Sequence, residues 1–113
     1  MYVSGEKYQG KFIDGKKQGR GVYQYKSGAV YDGEWHKDRK QGFGIYSYGN
    51  GERYEGNWTN GEKMGKGTYY FRNGDKYFGD WSKNRKNGMG VLEYASGAVY
   101  NGEWVDDRAS NRG

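Results

Sequence analysis

The side chains that most often carry out catalysis are sparse in this sequence. His36 is the only histidine and cysteine is absent, so the sequence offers neither a cysteine nucleophile nor a thiolate metal site. Carboxylates such as Glu34, Glu55 and Glu103 are spread along the chain instead of gathering in pairs, and no ligand spacing indicates a metal. Gly42-Phe43-Gly44 imitates part of a phosphate-binding loop, but this glycine pattern recurs throughout the chain and no helix is expected after it. We therefore expect no catalytic residue, no metal and no cofactor.

The apolar part of the sequence is almost entirely aromatic. Its 113 residues include 13 Tyr, four Trp, four Phe and 22 Gly, but no Pro or Cys. Few aliphatic residues remain to build a conventional two-layer core. No N-terminal segment resembles a signal peptide, and no run approaches the roughly 20 apolar residues of a membrane span. Together with the lack of cysteine, these features predict a cytoplasmic protein.

The rings follow a strict period of 23 residues. A tyrosine recurs from Tyr8 to Tyr100, and each is followed by Gly two residues later and by Trp or Phe four residues later. We count positions from this tyrosine, so that Tyr8 is position 1 of the first unit. A short, strict period indicates a stack of small units that rest mainly on their neighbours. The predicted array has a partial unit at 1–7, full units at 8–30, 31–53, 54–76 and 77–99, and a partial unit at 100–113.

Alternation of ring and polar residues predicts that each unit is a β-hairpin. Position 8 is always Gly, Asp or Asn, which predicts a left-handed turn within a loop over positions 6 to 11. Between units, residue parity favours a three-residue loop that ends in the glycine at position 21. Position 1 should then pair with 16, position 3 with 14, and position 5 with 12. The fold class is all-β: a single-layer, twisted antiparallel β-hairpin solenoid of about ten strands, about 45 Å long.

The predicted sheet has an aromatic face and a mostly solvated face. The rings at position 5 should be structural because they face glycines that leave room for them; they are Phe12, Trp35, Trp58, Trp81 and Trp104. A single-layer sheet cannot cover its own aromatic face, so the remaining rings should line a groove for a partner protein. These groove residues are Tyr8, Tyr23, Tyr25, Tyr31, Tyr46, Tyr48, Tyr54, Tyr69, Phe71 and Tyr77.

Positive charge is concentrated in the predicted loops at positions 6 to 11. The four complete loops hold nine Lys or Arg and three Asp or Glu, in a chain of net charge +5. Such a basic edge either keeps the strands soluble or attracts an anionic partner, such as acidic lipid headgroups or an acidic protein. Nucleic acid is disfavoured, because the rings and the basic residues are predicted on different parts of the sheet. The basic edge comprises Lys16, Lys17, Lys37, Arg39, Lys40, Lys63, Lys83, Arg85 and Lys86.

The pattern Tyr31-x-Gly33-x-Trp35, Gly42-x-Gly44-x-Tyr46-x-Tyr48, Asn50-Gly51-x-x-Tyr54 resembles the MORN repeat. The resemblance covers essentially residues 2 to 113, with Gln, Met or Asn in place of the usual His before the glycine at position 12. It implies a scaffold that takes up partner peptides or helices, in ciliary axonemes or in the cortical or membrane-linked cytoskeleton. It also implies an alternative, a peripheral membrane module that binds anionic phospholipids.

Two further roles are compatible with such an array. Open edge strands could pair with a second copy of the chain, since an unpaired edge is a template for another strand. The array could also be the targeting segment of a larger enzyme. We take the partner-binding scaffold as the first hypothesis and phospholipid binding through the basic edge as the alternative.

Overall fold

The computed structural model describes residues 2–3 and 5–109, and every regular element in this part of the chain is a β-strand. Eleven strands within these residues form one antiparallel sheet, in which each strand pairs with the next along the chain. The molecule measures 47 × 24 × 17 Å, close to the expected length. The strands are β1 (Tyr2–Val3), β2 (Glu6–Ile13), β3 (Lys16–Gln24), β4 (Val30–His36), β5 (Arg39–Ser47), β6 (Arg53–Thr59), β7 (Glu62–Tyr70), β8 (Lys76–Ser82), β9 (Arg85–Glu93), β10 (Val99–Val105) and β11 (Arg108–Ala109).

The predicted all-β hairpin solenoid is confirmed. The described strands number eleven instead of about ten because a two-residue strand pairs at each end, β1 with β2 and β11 with β10. Residues 1, 4 and 110–113, which belong to the predicted partial units, lie outside the described residues.

The connection between units is the three-residue loop that residue parity predicts. In the first such loop, Gly28 has a φ of 99° and donates its N–H to the carbonyl of Tyr25 at 3.0 Å. The N–H of Tyr25 donates to the carbonyl of Ala29 at 2.8 Å, which closes the loop. Left-handed backbone at this position suits glycine, because other side chains meet a steric penalty there. With this loop, position 1 pairs with 16 and position 3 with 14, as predicted.

The connection inside each unit is shorter than predicted. Lys37 and Asp38 form its two central residues in the second full unit, with φ values of 48° and 71°. Two consecutive residues with positive φ are typical of the type I′ turn that closes a two-residue hairpin. The left-handed turn at position 8 is therefore confirmed, but the predicted loop over positions 6 to 11 is wrong. Positions 9 to 11 already belong to the second strand of the unit.

A β-bulge shifts the register within each full unit. Gly33 pairs with Gly44, yet Trp35, two residues later, pairs with Lys40, four residues earlier than Gly44. The additional residues lie around Gly42, whose φ is 91°. The predicted pairing of position 5 with position 12 is thus wrong within a unit, although it holds between neighbouring units. As a result, position 10 lies opposite position 5 and shares the aromatic face with it.

The core consists of the tyrosines at position 1 of the four full units and the tryptophans at position 5, with the tyrosines buried most deeply. Tyr31, Tyr54 and Tyr77 have no exposed surface. Each ring lies against the paired glycines at positions 3 and 14, so that a Cβ on Gly33 would be 2.6 Å from the Tyr31 hydroxyl. That hydroxyl donates to the carbonyl of Glu34 at 2.9 Å, within the bulge. The position 5 rings face the glycine at position 12 of the neighbouring unit, as expected, but the space above the glycine pairs at positions 3 and 14 is occupied by the tyrosines.

The tryptophans at position 5 join each unit to the preceding one. The Nε1 of Trp35 donates to the carbonyl of Gly21 at 3.2 Å, and its ring meets the Tyr31 ring edge-on with centroids 5.0 Å apart. Trp58, Trp81 and Trp104 repeat this contact with Gly44, Gly67 and Gly90. Phe12, the corresponding residue of the first full unit, has no ring N–H and is 41% exposed. Contacts between neighbours therefore hold the array together, as expected of a repeat fold.

Candidate binding site

The half-buried rings at positions 16 and 18 form a continuous row along the sheet, which we call the aromatic ribbon. Successive ring centroids lie between 4.5 and 5.6 Å apart, first within a unit and then across to the next unit. Tyrosines that combine an apolar ring with a hydroxyl are well suited to contact another protein. The ribbon consists of Tyr23, Tyr25, Tyr46, Tyr48, Tyr69 and Phe71.

The other four rings predicted for the groove are core residues. Tyr8, Tyr31, Tyr54 and Tyr77 are at most 4% exposed, and their hydroxyls donate to backbone carbonyls. Burial raises the pKa of the Tyr77 hydroxyl to about 12, so this group stays protonated over the physiological range. The placement of these four rings in an open groove is thus corrected. They are buried because the glycines beneath them let the rings lie close to the backbone.

Four lysines at position 10 lie on the aromatic face, among the rings. The Nζ of Lys40 is 5.5 to 5.9 Å from five ring centroids, those of Tyr25, Tyr31, Trp35, Tyr46 and Trp58. This separation permits attraction between the ammonium group and the ring faces. Lys17, Lys63 and Lys86 occupy equivalent places. We call these four residues the lysine row.

The predicted basic edge is therefore divided between two surfaces. Over the five units, positions 7 to 9 hold six basic and five acidic side chains, a net charge of +1. The expectation that rings and basic residues occupy different parts of the sheet is wrong, because the two-residue turn and the bulge bring position 10 onto the aromatic face. The residues that remain exposed at the turns are Lys16, Lys37, Arg39, Lys83 and Arg85.

Each of the two outer lysines of the row has a carboxylate beside it. The Nζ of Lys17 is 3.3 Å from Asp38, whose Oδ1 also accepts the backbone N–H of Lys17 at 2.7 Å. The Nζ of Lys86 is 3.5 Å from Asp107, which accepts the backbone N–H of Lys86 in the same way. Both aspartates occupy position 8 of the following unit. The turn of one unit thus supplies the counter-charge for the lysine of the unit before it.

The two inner lysines have no such partner among the described residues. Position 8 of the following unit is Gly61 beside Lys40 and Asn84 beside Lys63. Asn84 accepts the backbone N–H of Lys63 at 2.8 Å but brings no charge. Burial lowers the pKa of both ammonium groups, because it disfavours their charged form. Among the described residues, neither inner ammonium group has a carboxylate within 4.0 Å, although the charge of Asp107 also acts on Lys63 and partly opposes the effect of burial on its pKa.

The opposite face of the sheet combines ion pairs with exposed apolar side chains. Lys66 pairs with Asp80 at 2.6 Å. Phe43, Phe78 and Met89 are about half exposed on the same face. This face is thus less uniformly polar than the sequence analysis expected, and it offers a second apolar surface that the periodicity argument missed. The sequence does indicate this surface, because the side chains of Phe43, Phe78 and Met89 interrupt the polar residues predicted for the opposite face.

Glu52 anchors one ring of the ribbon. It accepts the Tyr69 hydroxyl at 2.7 Å and the backbone N–H of Arg72 at 3.1 Å. These hydrogen bonds, that from Tyr69 first, hold the pKa of the Glu52 carboxyl below its usual value. The carboxylate thus fixes both a ribbon ring and the loop of the next unit.

We expect Glu52→Gln to destabilise the fold at neutral pH by no more than about 1 kcal/mol, since the carboxylate is largely open to solvent. A lowered pKa means that the charged form stabilises the native state above the ordinary glutamate range. This contribution disappears as the pH falls through the lowered pKa. Urea unfolding of both proteins at neutral and acidic pH should show a difference that shrinks with acidification. A difference that stays constant would contradict the assigned role of the charge.

The described residues contain no group of three or more His, Cys, Asp or Glu side chains that could hold a metal ion. The Nδ1 of His36 lies 2.9 Å from the Nε2 of Gln18 at the exposed end of the hairpin. No helix in the described part of the chain is long and apolar enough to cross a bilayer.

The family model described as the MORN repeat matches five consecutive segments, residues 8–30, 31–53, 54–76, 77–99 and 100–113. No curated protein matches the chain. The matched segments cover nearly all of the sequence. Their hairpins, glycine pairs and buried tyrosines form the single repetitive sheet described above. The chain therefore belongs to the MORN repeat family, whose members are all-β repeat modules associated with binding to proteins or membranes.

Proposed function

We propose that this array is a non-enzymatic scaffold that holds a segment of a partner protein along the aromatic ribbon. The observation that carries the proposal is the ribbon itself, an unbroken row of six half-buried rings on a single-layer sheet. No second layer of the described chain covers it. Contiguous apolar surfaces of this kind mark interaction sites, and tyrosines are frequent anchors of interfaces.

Binding of anionic phospholipids through the exposed turns is the alternative. Positions 7 to 9 hold six basic side chains, five of them from the predicted basic edge, and five acidic neighbours reduce the net charge there to +1. Attraction to an acidic membrane grows by about 1 kcal/mol for each uncompensated basic residue near the surface. Two of these acidic residues, Asp38 and Asp107, also pair with the lysine row, so the preference for a protein partner comes mainly from the continuous aromatic ribbon.

The cellular setting rests on the family resemblance alone. We propose a cytoplasmic scaffold in a ciliary or axonemal assembly, or in the cortical cytoskeleton. In either setting a rigid rod about 47 Å long would hold its partner in an extended contact.

The proposal is tested by removing rings that contribute to the ribbon and not to the core. Tyr25 and Tyr48 contact other ribbon rings and the lysine row, but no tryptophan ring. Tyr25→Ala with Tyr48→Ala should therefore leave the array folded. Tyr70→Ala is the matched control, because Tyr70 lies on the opposite face beside the guanidinium of Arg53.

We expect affinity capture from ciliated cells to recover a defined protein with the wild-type array and with Tyr70→Ala. The ribbon double variant should lose it, with its unfolding midpoint close to that of the control. A partner that is retained by the double variant, or lost with Tyr70→Ala, would contradict docking on the ribbon. Recovery of membranes without a protein partner would favour the phospholipid alternative.

A further inference from the structure

We propose that the partner segment is acidic, and that two of its carboxylates bind Lys40 and Lys63 at the centre of the aromatic face. This inference rests on the proposed function, since it specifies the chemistry of the segment that the ribbon holds. Three observations carry it: the counter-charges of the outer lysines, the surroundings of the inner ones, and the distance between Lys40 and Lys63.

The outer lysines show which group fits beside a member of the lysine row. Asp38 lies 3.3 Å from the ammonium group of Lys17, and Asp107 lies 3.5 Å from that of Lys86. The row is therefore built to receive carboxylates, and the chain provides them at its two outer positions. The same geometry without a carboxylate recurs at the two inner positions, where an external carboxylate can take its place.

The surroundings of Lys40 make an uncompensated charge costly. Its ammonium group is half-buried among five rings and has no carboxylate within 4.0 Å in the described chain. A partly desolvated cation is stabilised far more by an adjacent anion than an exposed cation is, because water screens the pair less. Burial also lowers the pKa of this group, and an incoming carboxylate would oppose that shift because it favours the charged form.

Lys63 has both a positioning contact and open space beside it. Its Nζ donates to the Tyr48 hydroxyl at 2.9 Å, which fixes the ammonium group next to the ribbon. A concavity of roughly 300 Å³ adjoins it, and its lining includes the rings of Tyr69 and Phe71 together with the ion pair of Lys86 and Asp107. This space can admit a carboxylate side chain between the ribbon and the lysine row.

The distance between the two sites limits the sequence of the partner. Lys40 and Lys63 occupy equivalent positions in β5 and β7, two strands apart, which corresponds to about 10 Å. Acidic residues seven apart in a helix are about 10.5 Å apart along its axis. Acidic residues three apart in a polyproline II segment are about 9 Å apart. Either spacing would let one continuous segment reach both lysines while its apolar side chains contact the ribbon.

Three double variants that each lower the net charge by two separate a specific site from general attraction. Lys40→Gln with Lys63→Gln removes the proposed contacts. Lys37→Gln with Lys83→Gln is the matched control, because these lysines lie in the exposed turns.

The third double variant is Gly61→Asp with Asn84→Asp, which supplies the missing carboxylates within the chain. Both positions already have left-handed backbone, with φ values of 84° and 71°, as Asp38 and Asp107 do with φ values of 71° and 73°. A Cβ on Gly61 meets no atom within 4 Å. This variant should therefore fold while it occupies the two carboxylate sites.

The probe is a phage-displayed library of random peptides of about 16 residues, long enough to span both sites. We expect the wild-type array to select peptides enriched in Asp and Glu. Selected peptides should bind Lys40→Gln/Lys63→Gln and Gly61→Asp/Asn84→Asp with affinities lower by about tenfold or more. The control Lys37→Gln/Lys83→Gln should change their affinity by less than about twofold at physiological salt. Unfolding midpoints of all variants should confirm that each array remains folded.

Each other outcome has a distinct meaning. Selection of apolar peptides without acidic enrichment, lost with Tyr25→Ala/Tyr48→Ala, would overturn the acidic partner and leave the ribbon as the docking site. If all three charge variants lost the same peptide affinity, binding would depend only on general electrostatic attraction, and the proposed site at Lys40 and Lys63 would be wrong. Failure to select any peptide would contradict both proposals. If vesicles with about 30% phosphatidylserine then bind through Lys40 and Lys63, the ligand is a lipid.

Discussion

Replacing Tyr54 by alanine should destabilise the array by about 3–5 kcal/mol, the range measured for truncating large buried aromatic side chains. The Tyr54 ring has no exposed surface and lies against the glycine pair of β6 and β7. It also meets Trp58 and Trp81 edge-on, with ring centroids 5.2 and 5.3 Å away. Removal would leave a cavity that connects two units at the middle of the array.

Urea unfolding, followed by far-ultraviolet circular dichroism, measures this loss. Tyr54→Phe should cost only about 1 kcal/mol, because it removes the hydrogen bond to the carbonyl of Asn57 and leaves the ring in place. Tyr70→Ala, on the opposite face, should also cost much less than Tyr54→Ala. Equal stability of Tyr54→Ala and Tyr70→Ala would contradict the division into core tyrosines and surface tyrosines.

The second large effect is expected from Gly67→Ala, at about 3 kcal/mol. A Cβ on Gly67 would overlap the hydroxyl end of the Tyr54 ring, which lies directly over this glycine. The ring cannot move away easily, since its hydroxyl is bonded to backbone and its edges meet two tryptophans. Overpacking of this kind forces side chains from their rotamers or shifts the backbone.

A double-mutant cycle distinguishes this clash from a general cost of alanine at that strand position. With Tyr54 replaced by alanine, the added methyl group has room, so Gly67→Ala should then cost less by at least about 1 kcal/mol. The cycle is read from the urea midpoints of the two single variants and the double variant. Strictly additive effects would show that the ring and the glycine do not act as one packing unit.

The sequence was sufficient to predict the hairpins and their order. The 23-residue period of the tyrosines and the alternation around them indicated strands, and parity selected the three-residue loop that Gly28 closes. The pairing of positions 1 with 16 and 3 with 14 followed from the same argument. These features depend only on side-chain alternation and glycine placement, which a sequence displays directly.

The turn inside each unit was harder to predict. Asp14-Gly15 and Asn60-Gly61 are dipeptides typical of two-residue type I′ turns, but the other units have Lys37-Asp38 and Lys83-Asn84 at the same place. The residue type at position 8 alone predicts a left-handed turn and a loop over positions 6 to 11, and it gives no indication of the bulge at position 12. Because of these two errors, the lysine at position 10 was predicted at the edge of the sheet, whereas it lies on the aromatic face.

The candidate site was predicted only in part, because the burial of a side chain cannot be read from the periodicity of the sequence. Periodicity identifies which residues share a face, but not which of them are covered by neighbours. Tyr31 and Tyr46 share a face and pair directly, yet Tyr31 is fully buried and Tyr46 is half-buried. The difference comes from the glycine pair beneath Tyr31, which lets this ring lie close to the backbone. That close approach is seen only in the three-dimensional structure.

The division of the rings has a functional consequence. Position 1 and position 5 rings hold the array together and the position 16 tyrosines also contact tryptophans, so of the ribbon positions 16 and 18 the latter should tolerate sequence change better. Phe71 and Leu92 already replace tyrosine at these positions. The same holds for position 8, where Asp38, Gly61 and Asn84 leave different charges beside otherwise identical lysines. A repetitive scaffold can thereby acquire a specific binding surface.

Site-directed photocrosslinking on both faces of the sheet tests the central claim most directly. A photoreactive phenylalanine analogue would replace Tyr48 on the ribbon or Tyr70 on the opposite face, each in an otherwise unchanged array. We predict that the captured partner forms a crosslink from position 48 and none from position 70. Crosslinks from position 70 alone would contradict the account and assign binding to the surface around Phe78.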